Sequence, residues 1–153
     1  MDFRRKHNRL AGYDYSSNGM YFITICTDGK ACIFGAVRCA EIGQGARVLL
    51  SDTGKRVREE IERIPKVFPG IAVRHFMVMP NHVHMLIEIR GSEISLSSVI
   101  NSFKGRVTRG AKRRIWQRSF HDHIVRDTED YWRIWEYIDG NPGKWSEDRY
   151  YVP

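Results

Sequence analysis

The stretch from Ile71 to Ile89 constrains the fold most: two runs of β-branched and apolar residues, IAVRHFMVM and HVHMLIEI, flank Pro80 and Asn81. Proline pre-sets the first central position of a tight turn and asparagine suits the second, so the two runs read as an antiparallel hairpin. Side chains alternate along a strand, which puts Val83, Met85, Ile87 and Ile89 on one face, to be covered by helices. His82, His84 and Glu88 take the other face, expected to be the open one. The rest of the chain supplies the cover. MYFITIC, residues 20–26, reads as a strand, and ACIFGAV and ARVLL as two shorter ones forming a hairpin beside it. Val57, Ile61 and Ile64 follow helical spacing, predicting a helix capped by Ser51 or Asp52 and stopped by Pro65. Leu96, Val99, Ile100, Phe103 and Val107 predict a second, starting near Ser95, with a basic outer face. Residues 113–123 look irregular. A third helix begins at the acidic cap Asp127 to Asp130 and ends at Gly140, Asn141 and Pro142, where the proline should push Asn141 out of helical geometry. This order predicts an α+β, ferredoxin-like (RRM-like) antiparallel sheet with helices on one face. At 153 residues, one domain spanning 1–153 is expected, with a basic arm at about 1–12 and a tail at about 143–153.

A formal charge of +7 points toward an acidic polymer such as nucleic acid. Cys26, Cys32 and Cys39 are odd in number and contain no CxxC pair, which favours a reducing cytoplasm over a disulfide framework. No apolar run is long enough to span a membrane, and the charged MDFRRKHNRL start lacks a signal core. The expected location is cytoplasmic, with no membrane partner.

Two motifs carry chemistry. In HVH, His82 and His84 project from the same strand face about 6.6 Å apart, at roughly 3.3 Å per residue, and can share one metal ion. An isolated HxH is more often a pair of histidines that bind nothing. In EYIDGNP, Tyr137 and Asn141 are four residues apart, so one helix face offers a phenol and an amide. An amide oxygen is a hard donor suited to Mg2+ or Mn2+, and a tyrosine beside such an ion is placed to attack a phosphodiester. Taken separately, a helix tyrosine packed beside Ile134 and Ile138 and an asparagine that ends a helix are the commoner explanations.

Four blocks in one order, VMPNHVHMLIEI, SFKGRVT, WQRSFHDHIVRD and YIDGNPGKW, resemble the single-tyrosine HUH transposases of insertion-sequence type, specifically the REP-associated tyrosine transposase branch. The similarity runs from about Tyr21 to Trp145. It implies a histidine pair at His82 and His84, a nucleophile at Tyr137 and a third metal position at Asn141, where related insertion-sequence enzymes carry glutamine. It further implies a prokaryotic, DNA-associated homodimer that recognises a DNA hairpin. Such a protein cleaves nearby single-stranded DNA through a 5' phosphotyrosine, using Mg2+ or Mn2+ and no nucleotide cofactor. The general base is unassigned, and His123 is better read as a structural hydrogen-bonding residue.

For DNA contacts, Lys104, Arg106, Arg109, Lys112, Arg113 and Arg114 concentrate charge along and beyond the second helix. Arg118 lies between Trp116 and Phe120, aromatic residues that would either stack on bases or anchor the core. Arg4, Arg5, Lys6 and Arg9 form the basic arm. Trp145, Tyr150 and Tyr151 have two possible packing sites, the body or a partner subunit. Two other functions compete: a DNA-binding protein that no longer cuts, and a replication-initiator or relaxase-type nuclease, normally a larger protein. A structural zinc site is disfavoured because no cysteine pair accompanies the histidines.

Overall fold

The computed structural model describes residues 19–39 and 45–153. Strand β1 (Gly19–Cys26) is followed by β2 (Gly35–Cys39), β3 (Ala46–Leu50) and helix α1 (Asp52–Val67). The hairpin β4 (Ile71–Val78) and β5 (His82–Ile89) precedes α2 (Leu96–Ala111), β6 (His121–Ile124) and α3 (Thr128–Gly140). The main sheet has the order β4-β5-β1-β6 and every pairing in it is antiparallel. At the tight turn, the Met79 amide donates to the His82 carbonyl at 2.8 Å around Pro80 and Asn81.

One sheet face buries Tyr21, Ile23 and Ile25 of β1 with Val83, Met85, Ile87 and Ile89 of β5. Against it pack Val57, Ile61 and Ile64 of α1 and Val99, Ile100, Phe103 and Val107 of α2. The α+β, ferredoxin-like architecture expected from the order of elements is present. The opposite face, however, is not open. Helix α3 lies across it, packing Ile134 and Ile138 on Phe22 and Leu86, and all eight residues of β5 are buried. The strands mark this second layer with buried Phe22 opposite Leu86 and with the partly buried Met20 and Met77, interrupted by Thr24, His82, His84 and Glu88, too broken a pattern to announce a covering helix.

Local chemistry explains the other departures. β2 and β3 pair with each other as a separate two-stranded sheet rather than extending the main one. α1 is capped by Ser51, whose Oγ accepts from the Gly54 amide at 3.1 Å, but it runs through Pro65 to Val67. A proline in the last turn costs one hydrogen bond, and α1 ends instead at Phe68 with Gly70 at φ +87° turning the chain into β4. HDHI, read as irregular, forms the edge strand β6 by pairing Tyr21 with Ile124 and Thr24 with His121. Four residues, three of them polar, carry no strand signal without the β1 edge beside them.

Candidate active site

Adjacent strands bring the polar centre together. In the β1–β5 register Thr24 sits opposite His84 and Cys26 opposite His82. Both histidines are buried, at 0% and 1% exposure, and their Nε2 atoms face each other at 3.2 Å. His82 Nδ1 donates to Asn81 Oδ1 at 2.8 Å, which leaves the lone pair of His82 on Nε2, directed into the centre. His84 Nδ1 lies 2.8 Å from Thr24 Oγ1, a hydroxyl able to accept from it and free its Nε2 in the same way. Burial pushes the His82 imidazole down to about 3, with the Asn141 amide opposing the fall. Burial also drives His84 well below the usual histidine range, and His82 beside it adds to the effect. Both rings are therefore neutral at ordinary pH, the form that binds metal.

α3 brings the other two predicted groups to this point. Tyr137 is half-buried, its ring edge-on to His84 at 5.5 Å between centroids and to Phe22 at 6.0 Å. Asn141 follows one turn later. Contrary to the expectation drawn from Pro142, it keeps helical geometry (φ −59°, ψ −43°), because a 3-10 segment, Pro142–Glu147, continues directly from α3. Its Nδ2 donates to Asp148 Oδ2 at 3.0 Å, while its buried Oδ1 has no hydrogen-bond partner. Sequence reasoning missed Asp148, which arrives only because the chain folds back after Pro142; its Oδ2 lies 3.8 Å from His82 Nε2. One ligand atom each from His82, His84 and Asp148 lies within 4.8 Å of the others. Two imidazoles, a carboxylate and an unpartnered amide oxygen are a donor set that fits a divalent cation of the Mg2+ or Mn2+ kind. Glu88, on the same strand face, is held away from this centre by Arg74 and Arg90.

The tail packs on its own body. The Tyr150 ring lies 4.6 Å from that of His82 and Trp145 lies 6.1 Å from it, while Asn81 Nδ2 donates to the Tyr150 carbonyl at 2.7 Å. His123 makes the structural contact expected of it, Nε2 to Asp130 Oδ2 at 2.8 Å, tying β6 to the start of α3.

The basic candidates divide. Arg4, Arg5, Lys6 and Arg9 lie outside the described residues. Arg109, Lys112, Arg113, Arg114 and Arg118 are exposed, Arg114 lying 3.5 Å from Asp28. Lys104 Nζ donates to the carbonyls of Gln117 and Arg118, and Arg106 Nε reaches Ser102 Oγ at 3.5 Å. Lys104, Arg109, Arg114 and Arg118 rim an open cleft of about 590 Å³. Trp116 is a correction: at 5% exposure it packs between Phe34 and Phe103, so its ring has no face to offer a base. Phe120 is likewise part of the core, at 3%.

Residues 45–141, which hold β3 through α3 and so the histidine pair, Tyr137 and Asn141, match the family model described as "Transposase IS200 like". The chain belongs to the IS200-like transposase family. Within the wider set of its relatives, it is similar to transposases of the REP-associated tyrosine type. An uncharacterised Haemophilus influenzae protein is 36% identical to it, covering 97% of this chain and 93% of that protein. The REP-associated tyrosine transposase of Escherichia coli K12 is 28% identical over 63% of this chain and 58% of its own. A solved REP-associated tyrosine transposase bound to a REP hairpin shares the fold, with a TM-score of 0.65 at 21% identity, over 94% of this chain and 74% of that one. Among the described residues, no helix of this transposase is long and apolar enough to cross a membrane.

Proposed function

We propose that this transposase cleaves and rejoins single-stranded DNA beside a hairpin, with Tyr137 as nucleophile and His82, His84 and Asn141 as the ligands of Mg2+ or Mn2+ during cleavage. The observation that carries this reading is the convergence of Tyr137 on the histidine pair: its ring meets that of His84 at 5.5 Å, and His84 Nε2 meets His82 Nε2 at 3.2 Å. Asn141 Oδ1, buried without a partner, supports its role as the third ligand.

Bound there, a divalent cation stabilises the charge that grows on the scissile phosphate. The protein's own groups do the rest. Asn81 and Thr24 fix the two imidazoles, and burial keeps them neutral. Phe22 and His84 hold the Tyr137 ring edge-on, which limits the directions its hydroxyl can take. Attack by Tyr137 Oη forms a phosphorus–oxygen bond to tyrosine and breaks the bond to the 3' oxygen, which leaves as a 3' hydroxyl. Another 3' hydroxyl reverses the exchange and joins strands without a nucleotide cofactor. The exposed basic residues at and beyond the end of α2 are suited to phosphate contacts, and the hairpin-bound relative supports DNA as the partner. The reading includes a homodimer.

Incubating the protein with labelled single-stranded hairpin DNA and Mg2+ or Mn2+, followed by denaturing electrophoresis, tests it. The expected result is a metal-dependent covalent protein–DNA band that Tyr137→Phe abolishes, while hairpin binding stays within a few-fold of wild type. An adduct surviving in Tyr137→Phe discards this mechanism, and hairpin binding with no adduct in the wild type identifies a protein that binds without cutting.

A further inference from the structure

A pocket of about 260 Å³ lies next to the histidine centre, outside its donor set. Phe76, Met77 and Val78 of the edge strand β4 line it, together with Val48 and Leu50 of β3. Arg47 of β3, Arg58 of α1 and Asp139 of α3 supply the charged part of the lining. Two lining residues adjoin proposed ligands. Met77 stands opposite His84 in the β4–β5 register, and Pro142 follows Asn141 where the chain turns back into the C-terminal strap packed on His82. Asp139 is two residues beyond Tyr137 on α3. A strand whose phosphate reaches Tyr137 therefore passes close to this pocket.

The lining combines three kinds of group. Val48, Leu50, Phe76 and Met77 are apolar and half-buried. The Asp139 carboxylate is 71% exposed, and its Oδ1 lies 3.4 Å from His75 Nε2, a contact that orients the group against β4 and leaves Oδ2 as an acceptor. Arg47 stands directly opposite Arg38 in the β2–β3 register, and both are exposed. Among the described residues no carboxylate forms an ion pair with Arg38, Arg47 or Arg58. Like charges facing each other on paired strands repel, and a phosphate beside them relieves the repulsion. An aliphatic ligand has no use for these charges, whereas a nucleotide uses all three groups.

We propose that this pocket holds one unstacked base of the strand being cleaved, a base with an exocyclic amino group, which Asp139 reads while Arg47 and Arg58 meet the adjoining phosphate. Bases of a single strand are free to splay out and lie against apolar and aromatic side chains. Adenine, cytosine and guanine each carry an amino donor for the carboxylate, and thymine presents carbonyl oxygens that repel it. The inference rests on the single-strand cleavage reading above and adds base selection to it.

The test reads binding rather than cleavage, so it stands apart from the metal chemistry. The full chain, in EDTA, is titrated into fluorescein-labelled hairpin DNA with a single-stranded flank, and an abasic site is moved through the flank one position at a time. Wild type is expected to show a position at which loss of the base weakens binding by roughly tenfold, and at which thymine also binds more weakly than cytosine. Ala46→Trp, which fills the pocket from β3, is expected to bind the intact DNA about tenfold more weakly and to lose nothing further when that base is removed. Asp139→Asn, whose amide both donates and accepts, is expected to bring thymine and cytosine to within about twofold of each other there. Hairpin binding by wild type with no base-sensitive position in the flank overturns the proposal, as does an abasic effect that persists undiminished in folded Ala46→Trp. An unchanged preference in Asp139→Asn overturns Asp139 as the reading group. Should Ala46→Trp fail to fold by circular dichroism, Val48→Phe replaces it. If wild type binds no hairpin DNA at all, the DNA reading fails and the pocket's assignment falls with it, an outcome distinct from binding without base selection.

Discussion

His82 and His84 show how far a two-residue motif depends on what surrounds it. Their spacing guarantees a shared strand face, but their chemistry follows from burial, which removes the charged form, and from Asn81, which fixes the His82 tautomer. In the metal-free protein this has a consequence for pH. Both rings are shifted below the unfolded value near 6.5, so the stability contributed by their neutral forms is fully present above about pH 6.5 and is lost as pH falls, for His82 toward about 3. Ring-proton NMR should show both histidines still neutral at pH 5, and denaturant titrations should show stability falling between pH 6.5 and 5. Titration of both rings near pH 6.5 would mean that the centre is open to water. Asp148 is the residue that sequence could not reveal: an acidic residue in a polar tail has no distinguishing pattern.

Among the elements, those with strong local patterns were legible. The hairpin at Pro80–Asn81, the caps at Ser51 and Ser95 and the apolar stripes of α1 and α2 each combine a period with a boundary signal. The misread elements depend on neighbours: β6 on the edge of β1, the end of α1 on Gly70, the helical Asn141 on the 3-10 segment that follows it. Gly54 in α1 is a further case. A Cβ there would overlap the Phe34 carbonyl oxygen, so α1 approaches the chain before β2 only because this side chain is missing. Alanine is the better helix former by about 1 kcal/mol, yet Gly54→Ala is expected to destabilise the protein by about 2 kcal/mol or more, since the clash is with backbone. Thermal denaturation checks it, and a raised Tm would show that Phe34 can yield.

At the scale of the whole molecule, the sheet is a partition: α1 and α2 build the core on one side, and α3 with the strap builds the candidate site on the other. The outer surface of α3 exposes Trp132 at 53%, beside Tyr131 and Trp135. An aromatic patch of this kind is a natural contact surface and supports the proposed homodimer. Light scattering is expected to return twice 17.9 kDa at micromolar concentration; a mass of one chain would discard the dimer. The amino-acid sequence by itself determined the α+β class, the hairpin, the shared face of His82 and His84 and the one-turn spacing of Tyr137 and Asn141, because periodicity and turn chemistry are local. Only the tertiary structure decided that α3 covers the histidine face, that Trp116 belongs to the core and that Asp148 and Tyr150 close over the centre. Those outcomes are set by which distant segments find room against one another, and no local pattern carries that information.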